Sequence, residues 1–240
     1  MATKKYSEID ITKFVYQQPK RNPQGGMNLY IDESSASKRS PVFQLEPCIA
    51  KFGTQPPPEG SQSTRRNMEI SVTSEDMINF IKSLDEQNIR EVAKKSELFF
   101  KKELSEEVLA QTLYRWSCAV SEKYDPLLRV KIATQGKYPT KVFRVTNETE
   151  GGNLETEQGT WEDITPWSKV VCIVQLSGLW FVSKSFGQTI LAQAVLVWPN
   201  EEKQQSTFAG YNLVPKSTPI VEQPTLTVNE DTTMDTDEIM

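Results

Sequence analysis

The 240-residue chain contains no histidine. Without an imidazole there is no Ser-His or Cys-His nucleophile pair, and no zinc site that needs a histidine ligand. Cysteine is scarce as well. Cys48, Cys118 and Cys172 are odd in number, far apart and set among apolar neighbours. They read as reduced, buried thiols of a cytoplasmic or nuclear, reducing compartment, not as a disulfide framework. No Gly-rich phosphate loop of the P-loop or dinucleotide type occurs. No window of about eighteen apolar residues exists, so no membrane span is expected. Met1 to Tyr6 is polar and unlike a signal peptide. Catalysis by carboxylates alone would need a close acidic pair at the end of a clear apolar strand, and none is found. An enzyme is therefore the least expected class, and neither a cofactor nor a metal is expected.

Charge is present but unevenly placed. The chain has 27 Lys+Arg against 32 Asp+Glu, a net charge of −5. Six of the acidic groups, Glu222, Glu230, Asp231, Asp235, Asp237 and Glu238, lie beyond Lys216, the last cation. The remainder has 27 basic and 26 acidic groups and stands at +1. A near-neutral body with an acidic tail is the charge layout of a protein whose tail covers its own cationic surface or recruits basic partners; the alternative is a solubilising terminus. Apolar residues make up 37% and charged residues 25%, a globular composition diluted by loops. We expect one β-rich domain over residues 1–213 and a disordered acidic tail over 214–240.

Along the chain, Glu8 to Tyr16, Met27 to Ile31 and Val42 to Lys51 read as strands between turn-rich pieces. Thr54 to Arg66, with Pro56-Pro57-Pro58, reads as a loop, because consecutive prolines cannot donate to a ladder. Asn67 to Thr73 predicts a strand running into a helix capped by Thr73 or Ser74, with Glu75 and Asp76 at its positive end. Met77, Ile81, Leu84 and Val92 give that helix one buried face. A second helix is expected near Ser105, with Val108, Leu109, Leu113 and Trp116 on its apolar face. These two helices form an insertion at about 74–120. Strands return at Leu127 to Thr134, with Leu128, Val130 and Ile132 opposite Arg129 and Lys131, and at Lys141 to Thr146. Asn147 to Thr160 reads as a polar loop. Ser168 to Leu176, Trp180 to Lys184 and Thr189 to Trp198 read as a three-stranded antiparallel meander, with turns at Ser177-Gly178 and Phe186-Gly187. The fold class is therefore β-rich α+β, with an OB-like antiparallel barrel preferred and a sandwich as the alternative.

Cations lie beside aromatic rings in the second half. The candidates are Arg129, Lys131, Lys137, Tyr138, Lys141, Phe143, Arg144, Trp161, Trp167 and Lys184. A cationic groove with ring faces is what single-stranded nucleic acid needs, each stacked base being worth roughly 1–3 kcal/mol. Rings in strands are more often core, and Trp180, Phe181 and Trp198 read first as core. Trp180, Val182 and Lys184 share one face of their strand.

Gly178-Leu-Trp-Phe, then Ser185-Phe-Gly187, then Leu191-Ala-Gln193-Ala-Val195-Leu-Val197 resembles the last strands of phage and giant-virus single-stranded-DNA-binding proteins. The resemblance covers about thirty residues plus the acidic tail. It implies an OB-fold and a non-catalytic role in viral or phage DNA replication or recombination, in a viral replication compartment. Such tails often end in an aromatic residue, whereas this one ends Ile239-Met240. The expected partners are single-stranded DNA at the barrel and replication proteins at the tail residues Glu230, Asp231, Asp235, Asp237 and Glu238. No membrane partner is expected, and homo-oligomerisation stays open. The rival reading is a structural or minor virion protein with no nucleic-acid binding, favoured by the small body charge.

Overall fold

Leu128, Val130 and Ile132 alternate with Arg129 and Lys131, and in the computed structural model this period-two pattern is a strand with the apolar row buried and the cations outward. The structure describes residues 3–21, 26–57, 59–60, 63–119, 123–149, 152–182 and 185–200. Its longer strands are β1 (Cys48–Gln55), β2 (Arg65–Ser71), β3 (Leu127–Ala133), β4 (Lys141–Glu148), β5 (Leu154–Gly159), β6 (Ser168–Val182) and β7 (Ser185–Trp198).

Five of these close a ring. β1 pairs with β2 and β2 with β3, both antiparallel. β3 pairs with β7 in parallel, β7 with β6 antiparallel, and β6 returns to β1 antiparallel. The closed, five-stranded order β1-β2-β3-β7-β6 is an OB-like barrel, and closure leaves the ring without exposed edges. Met68, Ile70, Val130, Ile132, Val170, Cys172, Ala192, Val195 and Val197 are buried along its strands. The 15 residues of β6 outrun β1, and the excess edge is covered by residues 42–44 and 27–29.

The helices lie in the connection from β2 to β3. α1 (Glu75–Ala93) starts at Ser74, whose hydroxyl accepts the Met77 N–H. Its buried face is Met77, Ile81, Leu84, Ile89 and Val92. α2 (Ser96–Phe100) and α3 (Glu106–Val108) follow, and residues Leu109–Leu113 continue as a π-helical turn. Phe99, Phe181 and Phe186 form a parallel stack, with centroids 4.2 and 5.3 Å apart, that ties α2 to β6 and β7. Among the described residues no helix is long and apolar enough to cross a membrane.

Several expected elements differ. Glu8 to Tyr16 is not one strand: Tyr6–Glu8 and Ile11–Lys13 are 3-10 turns, and only Val15–Tyr16 is extended. Glu8 and Asp10 accept the N–H groups of Lys5 and Thr12, local bonds that outcompete a ladder. The polar run at 147–160 is not all loop. β5 forms within it as the partner of β4, its side chains almost all exposed. The expected three-stranded meander is a two-stranded hairpin. Ser177-Gly178 lies inside β6 as a bulge, with Gly178 at φ +115°. A Cβ there would stand 2.3 Å from the Leu29 carbonyl oxygen, so glycine serves a close approach of two chains instead of a turn. Phe186-Gly187 likewise belongs to β7. The tail lies outside the described residues.

Candidate nucleic-acid interface

β3 and β7 pair at only two positions, Lys131 with Leu191 and Ile132 with Ala192. Toward their N-terminal ends each takes a different partner from residues 114–119. Tyr114–Arg115 runs parallel to Phe186–Gly187 of β7, and Cys118–Ala119 pairs antiparallel with the start of β3. This short segment fills the gap between the two strands and becomes one wall of a groove of about 760 Å³. Arg115, Trp116, Ser117 and Ala119 line that wall, Glu69, Arg129 and Lys131 the outer face of β2 and β3, and Trp180, Val182, Gln188 and Thr189 the hairpin side.

Three cations against Glu69 leave the lining at +2. The Arg129 guanidinium donates from Nε and Nη2 to Glu69 Oε1, at 3.1 and 2.7 Å. Lys131 Nζ donates to Asn67 Oδ1 at 2.6 Å. Its partial burial, then the charges of Arg129 and Arg65, hold the Lys131 pKa below the usual lysine value. Trp180 lies across the backbone of Gly187, where an added Cβ would stand 3.0 Å from the ring. Trp116 is 43% exposed and packs edge-on against Tyr114.

A buried polar cluster fixes the 114–119 wall. Asp85 of α1 accepts from the Tyr114 hydroxyl at 2.6 Å, the Ser117 hydroxyl at 2.7 Å and the Ser117 N–H at 2.8 Å. Desolvation pushes its carboxyl up to about 6, although those hydrogen bonds pull the other way. Asn88, one turn along, donates to Gln188 Oε1 at 2.9 Å and accepts from the Tyr16 hydroxyl at 2.7 Å. α1 thus holds the groove wall to the barrel through the polar side chains of Asp85 and Asn88.

Of the ten residues singled out in the sequence, Arg129 and Lys131 share this groove, whereas the other described ones lie elsewhere. Lys137 and Tyr138 sit together in the β3–β4 connection, the amine 5.3 Å from the ring centroid. Lys141 and Phe143 are exposed on β4, and Arg144 reaches Glu157 and Asp163 at 3.9 Å. Trp161 is covered by the Arg66 guanidinium at 4.0 Å, and Trp167 by Lys51 at 4.6 Å. Lys184 lies outside the described residues. The residues missed are Arg115, Trp116 and Glu69. Trp116 was expected on a buried helix face, but the helix ends at Leu113 and the ring reaches the surface. Of the rings read as core, Phe181 is buried, and Trp180 and Trp198 are half-buried. The shared face of Trp180 and Val182 was the legible signal for the hairpin side.

The three cysteines are buried, and burial pushes Cys48 up to about 12 and Cys118 to about 11, away from thiolate chemistry. Among the described residues no group of three metal-ligating side chains could hold an ion.

The model of a family described as a family of unknown function, DUF5871, matches residues 60–210. No curated protein matches in sequence. Among solved structures, the chain is similar to gp2.5, a single-stranded DNA binding protein encoded by bacteriophage T7. The identity is 11% and the TM-score 0.44, over 66% of this chain and 91% of that one.

Proposed function

The chain belongs to DUF5871, a family of unknown function, and from the groove we propose that it is a non-catalytic single-stranded-DNA-binding protein acting in viral or phage DNA replication or recombination. One observation carries this reading: two tryptophans and three cations line one groove that borders the β2–β3 face of a five-stranded barrel. That face is where OB-folds hold oligonucleotides. In the proposed complex, bases stack on Trp116 and Trp180, and Arg115, Arg129 and Lys131 follow the phosphates. Stacking and local charge suit binding that tolerates sequence, because every base has a ring face. The acidic residues at 217–240 compete for the groove when DNA is absent and recruit replication proteins when it is present.

The test is a fluorescent oligo-dT titration over a salt series. Single strands release about 0.7 counterions per neutralised phosphate, so three cations give a slope of log affinity on log salt near −2. Removing residues 217–240 tightens binding at low salt. A full chain and a truncated chain that both fail to bind below micromolar levels overturn the reading and leave the structural, scaffold role. Equal binding by the two forms overturns the masking role alone.

A further inference from the structure

Trp116 is a partition rather than an end wall. Beyond it lies a second depression of about 510 Å³, lined by Ile78, Lys82, Asp85 and Cys118 together with Trp116 and Ala119. Trp116 and Ala119 also line the groove, so the two spaces adjoin on either side of one ring. The volume lies in the ~300–1,000 Å³ range of small-ligand sites. Three of its six residues are apolar or thiol side chains, one is an aromatic ring and one a cation at the rim. Lys82 is 64% exposed and its closest carboxylate, Glu86, is 3.9 Å away. Such an exposed pair contributes little and yields readily to a phosphate.

Asp85 restricts what can enter. Its carboxylate is buried, with its oxygens engaged by Tyr114 and Ser117. A phosphate pressed into this slot would lose water beside an anion. A neutral, flat heterocycle would not, and its phosphate would remain outside, at Lys82. The same bonds, donated by Ser117 to Asp85, together with the edge-on contact to Tyr114, keep the Trp116 ring in place between the two spaces.

We propose that this depression is a nucleobase slot, which takes a base of the same strand that fills the groove, stacked on Trp116 with its phosphate against Lys82. The slot lengthens the binding site past the barrel face onto α1. The proposal rests on the single-stranded-DNA reading of the groove, and its test separates the two.

Oligo-dT of increasing length is titrated against the full-length wild type, Lys82→Ala, the double variant Arg129→Ala/Lys131→Ala, and Lys94→Ala, at the C-cap of α1, as a remote control. We expect Lys82→Ala to bind the shortest oligomers as the wild type does. Longer ones lose roughly three- to tenfold, and their salt slope becomes shallower by about 0.7, one phosphate contact. A long oligomer carrying 5-iodouracil crosslinks to the peptide holding Trp116 and Cys118. If Lys82→Ala matches the wild type at every length while the groove double variant is impaired, the slot is refuted and the groove stands. If the double variant also binds normally, the groove reading itself falls. Equal losses at all lengths, or equal losses in Lys94→Ala, refute a separate slot in favour of general charge.

Discussion

Among the described residues Glu69 is the only carboxylate that lines the groove, and it sits on the cation that a phosphate would want. Arg129 spends two N–H groups on it, at 2.7 and 3.1 Å. In the proposed complex, incoming DNA must displace this pair or share it. With Arg129 65% exposed, the pair itself contributes roughly 0.2–1 kcal/mol. A phosphate on the far side of the guanidinium would stand about 7 Å from the Glu69 carboxylate, a repulsion of about 0.6 kcal/mol at the dielectric of water. Glu69→Gln keeps the shape and an acceptor oxygen but removes the charge, raising the groove from +2 to +3. The two effects together are worth about 1 kcal/mol, or near fivefold tighter binding of oligo-dT at low salt. The gain shrinks as salt screens the groove. The assay is fluorescence anisotropy at two salt concentrations, with melting temperature checked to exclude a folding defect. If Glu69→Gln binds more weakly than the wild type, Glu69 orients Arg129 for the phosphate instead of competing with it, and the reasoning fails.

Other variants test other parts of the structure. Trp180→Ala removes a stacking ring and should weaken oligo-dT binding by roughly 5- to 150-fold, as 1–3 kcal/mol per stacked base implies; unchanged affinity would leave Trp180 as packing only. Asp85 has a folded pKa raised to about 6 from 3.8, so its contribution to stability is fully present below pH 4 and is lost as pH rises through 6. Relative to wild type, Asp85→Asn should therefore gain up to roughly 3 kcal/mol between pH 4 and 7 in urea denaturation, at 1.36 kcal/mol per unit, and a flat difference would refute this. Gly178→Ala meets both the positive φ and the Leu29 carbonyl. It should cost about 2 kcal/mol, which is about 4–8 °C of melting temperature for a domain of this size, whereas an unchanged melting temperature would mean that the bulge relaxes.

What the sequence made legible follows from period. The alternation at 127–134 put Arg129 and Lys131 on one outer face, and the same alternation put Trp180 with Val182. α1 was legible from its 3.6-residue spacing and from Ser74. Pairing was not legible in the same way. Nothing local in Lys131 or Leu191 says that β3 and β7 run parallel, yet that contact closes the ring and, by ending after two residues, opens the gap that 114–119 fills. The bulge at Gly178 was misread because glycine signals a turn and a close approach equally well; only Leu29, 149 positions earlier, distinguishes them. β5 escaped because Glu155, Thr156 and Glu157 carry no buried row, and its order comes from β4 alone.

The body charge of +1 counted against a nucleic-acid binder, but net charge is the wrong measure once ion pairs are placed. Lys4, Lys13, Lys51, Lys94 and Arg144 each lie within 4 Å of a carboxylate, spread along the chain. Their fields largely cancel against their partners at distances beyond a Debye length of about 8–10 Å. Arg115 and Lys131 differ: among the described residues neither has a carboxylate within ion-pair distance, and both line the same groove as Arg129. A potential that drives binding needs only such a local excess beside low-dielectric walls, and Trp116 and Trp180 supply those walls. Under the proposed reading, a barrel of nearly zero net charge can then hold a single strand at this groove. Raising the net charge by mutating a remote carboxylate such as Glu155 should therefore leave oligo-dT affinity almost unchanged, whereas removing Arg115 alone should lower it and make the salt slope shallower by about 0.7.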